Sequence, residues 1–470
     1  MHHPATGVMP DDFASLDAFV PDVMREAKTP GLSISIVSEN KIVYARGFGF
    51  RDISSGLVAT PRTLYGIGSV TKSFTALAIM QLADEGRIAL DDPVEKYVPA
   101  VPKPLGESPT IHHLLSHSSG LPALGYAEAF MSGVLGSDQL SLPLDTPEDV
   151  IAFMKDAQDW AVSKPGMRFF YLNEGYVLLG YIISKVVGKS YEEYVRERIL
   201  LPLGMTRTYF SKADVEREED RATPYIIDRE GKHIPSSFPY GVNADGGLVS
   251  NVIDLSNYVR MCIDHGALDG KALVSKKMFE AMEQPRIVMS YEQDFGTEFY
   301  GYGWGMTPDF YGSKLVGHAG SVGVHEAYVG YIPEKRIGVA FQANPSNYPL
   351  EQIGMYALAA LLGIDPDSLP FVRRGRILRE LQGEYETYKG TVKISVRKKG
   401  DFLFAEFKDK HTEETLPLVP VKLQEDYASF YTLQEGAKIT TEFHVKGGNV
   451  EWIFDRYKAI KKRSAPVAVS

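Results

Sequence analysis

The strongest constraint on this fold is a change of hydrophobic period near Pro366–Arg379. Beyond it, Val392, Ile394 and Val396 alternate with Lys393, Ser395 and Arg397. Successive strand side chains point to opposite faces, so this pattern is a half-buried strand. Further runs recur at Phe402–Phe407, Ser429–Leu433, Ile439–Val445 and Val450–Phe454, with turn pairs Lys399-Gly400 and Gly447-Gly448. About eight such strands in about 95 residues predict a small antiparallel β-barrel, placed over 371–463. The 470 residues exceed one ordinary core. The chain is therefore divided into 1–365 and 366–470.

The first part mixes both periods. Phe13, Leu16, Phe19, Val20, Val23 and Met24 predict a helix over 11–28, ended by Pro30-Gly31. Strands follow at Leu32–Val37 and Lys41–Phe50 around the Glu39-Asn40 turn. Helices are expected over 69–86, from Glu174 to Val187 and over Tyr191–Ile199. Strands return at Ser313–Val316, Glu326–Ile332 and Ile337–Gln342, and Leu350–Leu362 closes as a helix. Two early and three late strands predict one antiparallel sheet flanked by helices, interrupted by a helical insertion. The fold class is α+β.

The net charge of -10 disfavours nucleic acid, whose phosphates need a basic face. The charge is uneven. From Phe371 onward there are 19 Lys+Arg and 14 Asp+Glu, or +5, which leaves -15 for the rest. No apolar run approaches the roughly 20 residues that span a bilayer, and no basic-then-apolar leader opens the chain. A cytoplasmic protein without a membrane partner is expected. The single cysteine, Cys262, lies in a helix-like apolar stretch and reads as a buried, inert thiol. The final six or so residues read as frayed. His-Glu-x-x-His, nucleotide-binding glycine motifs and Gly-x-Ser-x-Gly are all missing, so no cofactor is called for.

Three short patterns carry chemistry. Ser-x-x-Lys occurs at Ser38–Lys41, Ser69–Lys72 and Ser395–Lys398, but only Ser69 opens a predicted helix. Residues i and i+3 share a helix face, which sets the Ser69 hydroxyl beside the Lys72 ammonium. A serine needs such a neighbouring base to act as a nucleophile. Tyr171-Leu172-Asn173 is the only Tyr-x-Asn in the chain. A tyrosine can act as a base if a nearby lysine lowers its pKa of about 10. Asn173 can accept from Lys72 and donate to a substrate carbonyl. His318-Ala319-Gly320, the only His-x-Gly, follows a predicted strand. Gly320 would let a substrate backbone lie on the strand edge. His318 could contact substrate or stabilise the tyrosinate, switching charge near neutral pH.

The order Ser-x-x-Lys, Tyr-x-Asn, His-x-Gly resembles the serine β-lactamase and penicillin-binding-protein superfamily, and its His-x-Gly form resembles the CubicO group. Stretches such as Gly66–Phe74, Leu90–Val94, Leu114–Pro122, Pro202–Met205 and Tyr302–Gly305 carry the same likeness over about residues 12–363. The resemblance implies Ser69 as nucleophile, Lys72 as its partner and Tyr171 as acylation base and leaving-group acid. It implies an oxyanion hole from the backbone N–H groups of Ser69 and Ser321. It also makes His112, His113 and His117 structural rather than metal-binding. His318 stands where much of the superfamily has lysine, so the charge that would bind a β-lactam carboxylate is missing. The barrel, with Gly383-Glu384-Tyr385-Glu386, is similar to the lipocalin-like domain of archaeal CubicO-group peptidases. That likeness implies a homo-oligomer, an octamer. Small barrels often pack their own side chains, so a filled interior used for assembly is expected, with ligand binding in the barrel as the alternative.

The expected activity is a serine hydrolase, a peptidase on short peptides with D-residues among them. The alternatives are a carboxylesterase on small acyl esters and a catalytically silent binding or scaffold protein.

Overall fold

The structure, a computed structural model, describes residues 13–136, 140–241, 243–345, 349 and 351–462. Asp11, Asp12, Leu350, Arg463 and the expected frayed end lie outside the described residues. Two compact units are present, Met1–Gly363 and Ile364–Ser470. No helix among the described residues is long and apolar enough to cross a membrane.

The first unit is built on nine strands. They are β1 (Gly31–Ser38), β2 (Lys41–Asp52), β3 (Leu57–Val58), β4 (Ile287–Gln293), β5 (Gly296–Tyr300), β6 (Gly305–Thr307), β7 (Leu315–Ser321), β8 (Glu326–Ile332) and β9 (Ile337–Ala343). Their order is β4-β5-β6-β7-β8-β9-β1-β2-β3, antiparallel throughout. The five expected strands form its middle. The β4–β6 flank was not anticipated, because Ile287–Gln293 is largely exposed and lacks a clean alternation.

Helices cover both faces. Val259 of α4 (Val252–Ile263) stands where a side chain on Gly338 of β9 would be. On the other face, Gly354 of α5 (Glu351–Leu361) lies against the Tyr328 ring of β8. Helix α1 (Ala14–Ala27) reaches α5 through a Phe19–Tyr356 stack with centroids 3.9 Å apart. Between β3 and β4 sits the helical insertion, centred on α2 (Thr71–Asp84) and α3 (Asn173–Val187). Helix α2 is buried from Thr71 to Leu82 on every face. It is therefore an interior helix rather than an amphipathic surface one. Ser69 was expected to open this helix; it lies instead in a single 3₁₀ turn, Gly68–Val70, that leads into it. Cys262 is buried on α4, and burial pushes its thiol well above the usual range.

The second unit begins with a helix, α6 (Pro370–Leu381). This corrects the expected barrel start at residue 371. Pro370 sits in the first helical turn, where a missing N–H costs nothing, and Phe371, Val372, Ile377, Leu378 and Leu381 bury one face. Eight strands then close into a barrel: β10 (Gly383–Thr387), β11 (Lys393–Lys399), β12 (Phe402–Lys408), β13 (Glu413–Leu423), β14 (Tyr427–Gln434), β15 (Ala437–Lys446), β16 (Asn449–Phe454) and β17 (Tyr457–Lys461). The alternation puts Ile394 and Val396 inside. Phe443 and Trp452 stack at 5.2 Å within the barrel core, beside Phe430 and Tyr385.

Candidate active site

Four elements meet around Ser69. The 3₁₀ turn presents its hydroxyl, and α2 places Lys72 one turn on. There Lys72 Nζ donates to Ser69 Oγ at 3.0 Å, to Asn173 Oδ1 at 2.7 Å and to the Asp245 carbonyl at 2.7 Å. Asn173 is the first residue of α3. Lys72 is wholly buried, and burial lowers its pKa to about 8 against the pull of Asp245, Glu174 and Glu128. At neutral pH about one molecule in ten thus holds a neutral amine, the form that can take a proton.

Tyr171 stacks obliquely on the His117 ring at 4.1 Å, and Lys72 Nζ lies 4.9 Å from its ring centre. Its buried hydroxyl has no hydrogen-bond partner among the described residues. The expected depression of its pKa is absent. Burial pushes the phenol well up. The Tyr171 phenol therefore stays protonated at rest. His117, read from sequence as one of a histidine cluster, accepts the Leu172 N–H at 3.0 Å and so fixes the Tyr171–Asn173 segment. His112 instead meets Tyr302, and His113 caps a helical turn at Thr110. Among the described residues no group of three or more His, Cys, Asp and Glu is placed to hold a metal.

His318 lies inside β7 rather than after a strand. Its Nδ1 sits 2.6 Å from the Ala319 carbonyl, which can only accept, so Nδ1 carries the proton and Nε2 accepts from Tyr300 at 2.9 Å. Burial, with the Lys72 charge, lowers its pKa to about 3. The expected charge switch near neutral pH is thus corrected: this imidazole stays neutral.

Gly320 and Gly68 let two segments of the chain touch. A Cβ on Gly320 would lie 2.7 Å from Ser69 N, and one on Gly68 would lie 2.6 Å from Ser321 N. Gly68 also has φ +50, a conformation that favours glycine. The two backbone nitrogens of the expected oxyanion hole are thereby brought to one seam. Beyond Gly317, β7 has no partner on β6, so residues 318–321 offer an open strand edge. A cavity of about 650 Å³ runs along it, lined among others by Ser69, Tyr171, His318, Gly320 and Ser321. Among the described residues no lysine or arginine is on its wall.

Residues 16–363 match the Beta-lactamase family. The chain belongs to that family. Residues 366–460 match the family described as the Pab87 octamerisation domain. The octameric penicillin-binding protein homologue from Pyrococcus abyssi superposes with a TM-score of 0.92 at 52% identity, covering 96% of this chain and all of that one. A penicillin-binding protein from Bacillus halodurans shares the fold at a TM-score of 0.58 and 24% identity, over 73% of this chain and 98% of its own. Protein flp of Staphylococcus aureus is 28% identical over 350 residues, and the putative penicillin-binding protein PbpX of Bacillus subtilis is 31% identical over 264. These alignments take in 71% and 55% of this chain. The chain spans 63% and 60% of those two relatives' lengths. Family membership supports a serine hydrolase.

Sequence reasoning missed two contributors. Tyr300 fixes His318 from β5, a strand that the sequence pattern did not reveal. Asp245 holds Lys72 through its carbonyl, which every residue type possesses, so no side-chain signal announced it. The Asn243-Ala244-Asp245-Gly246-Gly247 loop was at most a turn signal.

Proposed function

We propose that this chain is a serine peptidase that forms an acyl-enzyme on Ser69 from short peptides, D-residue peptides among them. The observation that carries the reading is the 3.0 Å contact between Ser69 Oγ and a buried lysine whose pKa is lowered to about 8. In its neutral form Lys72 takes the Ser69 proton as Oγ bonds to the substrate carbonyl carbon. The carbonyl oxygen gains the negative charge and faces the Ser69 and Ser321 N–H groups. Collapse expels the leaving amine, which takes its proton from Tyr171. The Lys72 ammonium stabilises the phenolate and returns the proton. Neutral once more, Lys72 takes a proton from the water that attacks the acyl carbon and passes it to Ser69 Oγ as the acid leaves.

Ester substrates form a second reading, favoured by the cavity wall. Among the described residues the wall carries Glu298, Glu326 and Glu351 and no lysine or arginine, so it offers no cation to a substrate carboxylate, and an ester without one suits it. Assembly belongs to the proposal too. The match of 366–460 and the octameric neighbour support a homo-oligomer, an octamer. Exposed Val421, Leu433 and Tyr388 on the second unit are apolar surface that such contacts would cover.

The test is a matched panel of L-peptides, D-peptides and p-nitrophenyl esters, with intact-mass detection of the acyl adduct. The reading expects an adduct on Ser69 and turnover of peptides. An adduct with ester turnover alone selects the esterase, and no adduct with any substrate removes both.

A further inference from the structure

A second cavity of about 220 Å³ lies in the first unit, lined among others by Leu64, Lys212, Arg221, Phe238, Val249 and His325. We propose that it binds a small carboxylate on an apolar stem.

His325 supplies the first argument. It is 3% exposed, and its Nδ1 accepts the Gly66 backbone N–H at 3.0 Å. A backbone N–H can only donate, so the imidazole proton is on Nε2. That Nε2–H is buried without a partner among the described residues. A buried donor left unpaired is costly, and a ligand acceptor would satisfy it. The second argument is charge. Glu216 is also on the wall, but Lys212 engages it at 3.8 Å. Arg221 donates to the backbone carbonyls of Glu216 and Glu218 and has no acidic side chain as partner among the described residues. A guanidinium on the wall of a pocket with an orphan N–H selects an anion, and a planar carboxylate suits its fork. The third argument is the floor. Leu64, Val215, Phe238 and Val249 belong to one buried apolar cluster, so the rest of the ligand is apolar.

The cavity's place gives the ligand a meaning. His325 ends the turn Val322–His325, closed by Val322 N–H donating to the His325 carbonyl at 3.0 Å. The turn follows Ser321, and Gly66 stands three residues before Ser69. The His325 side chain therefore ties together the two segments that carry the proposed oxyanion donors. Amide or ester hydrolysis leaves a carboxylate, so the reaction proposed above supplies this class of ligand. Only that last link rests on the serine-hydrolase reading; the binding does not.

The test is calorimetric titration of the full-length protein with benzoate and with benzamide, its neutral counterpart. Benzoate should saturate one site per chain, with benzamide at least about tenfold weaker. Arg221→Gln should weaken benzoate by about tenfold while melting temperature and ester turnover stay unchanged. His325→Phe should weaken it likewise, and because that change also frees the Gly66 N–H, the Arg221 arm stands by itself. Titration of Ser69→Ala should match wild type, so failure of the nucleophile assignment does not touch the result. Equal binding of benzamide, an unaltered Arg221→Gln, or no binding at millimolar benzoate overturns the proposal.

Discussion

At the residue scale, the proton inventory decides the chemistry. Lys72 must be neutral to accept from Ser69, and burial sets its pKa at about 8. Activity should therefore rise as pH rises through about 8 and level off above it. Below that, the rate should fall tenfold per pH unit. His318, held at about 3 by burial, should contribute no limb between pH 5 and 8. A kcat/KM profile flat from pH 6 to 9 would remove Lys72 from the role of base. Ser69→Ala should lose on the order of 10⁴-fold or more, and Ser69→Ala with Lys72→Ala should be barely slower, because the two act as one unit. Additive losses, read from kcat on a p-nitrophenyl ester, would mean independent roles. The candidate residues were legible in the sequence because their spacing puts them on one helical face or one strand. Their protonation states were not. Those depend on what covers each group, and the covering residues come from distant segments: Asp245 over Lys72, Tyr300 over His318, His117 under Tyr171.

At the element scale, the site depends on how closely β7 presses the Gly68–Val70 turn. A methyl at position 320 would stand 2.1 Å from the Ile67 carbonyl oxygen and 2.7 Å from Ser69 N, both backbone atoms that cannot rotate away. Gly320→Ala should thus cost about 1–3 kcal/mol of stability, as overpacking does, and should push the two N–H groups apart. Activity should fall by about 10² or more, since one oxyanion donor contributes that much. Denaturant melts and ester kinetics on the same preparation check both; a variant with wild-type kcat would show that the seam is slack. The sequence marked Gly320 as a place of close approach, but not its partner. It also revealed the middle of the sheet and not its flank. Strands β1, β8 and β9 are buried along nearly their whole length and leave apolar runs, whereas β4 exposes most of its length and β6 has only three residues. The change of period near Pro366–Arg379 marks where the second part starts, but the barrel's own alternation begins only after α6.

At the scale of the whole molecule, the proposed chemistry and the proposed assembly fall in different parts of the chain. Ser69, Lys72, Tyr171, Asn173, His318, Gly320 and Ser321 all lie in the first unit. The second unit's interior is filled by its own side chains, with Phe430, Phe443 and Trp452 buried, which leaves its outer surface as the part available to partners. That surface carries exposed Val421 and Leu433, and the segment from Phe371 onward is +5 against -15 for the rest of the chain. Unlike charges on two parts of each protomer favour contacts between protomers, and closed symmetry repeats each contact in every copy. Full-length protein should therefore sediment as a large homo-oligomer that loosens at high salt, where exposed charges are screened. Deletion of 364–470 should yield a smaller species that still hydrolyses small esters, because the first unit keeps its own core and every candidate residue. Discrimination between short and long peptides should change more than the rate on esters, since an enclosed assembly filters by size and the nucleophile does not. Light scattering that finds a monomer for the full-length chain would remove the assembly role, and with it the reason to expect size selection.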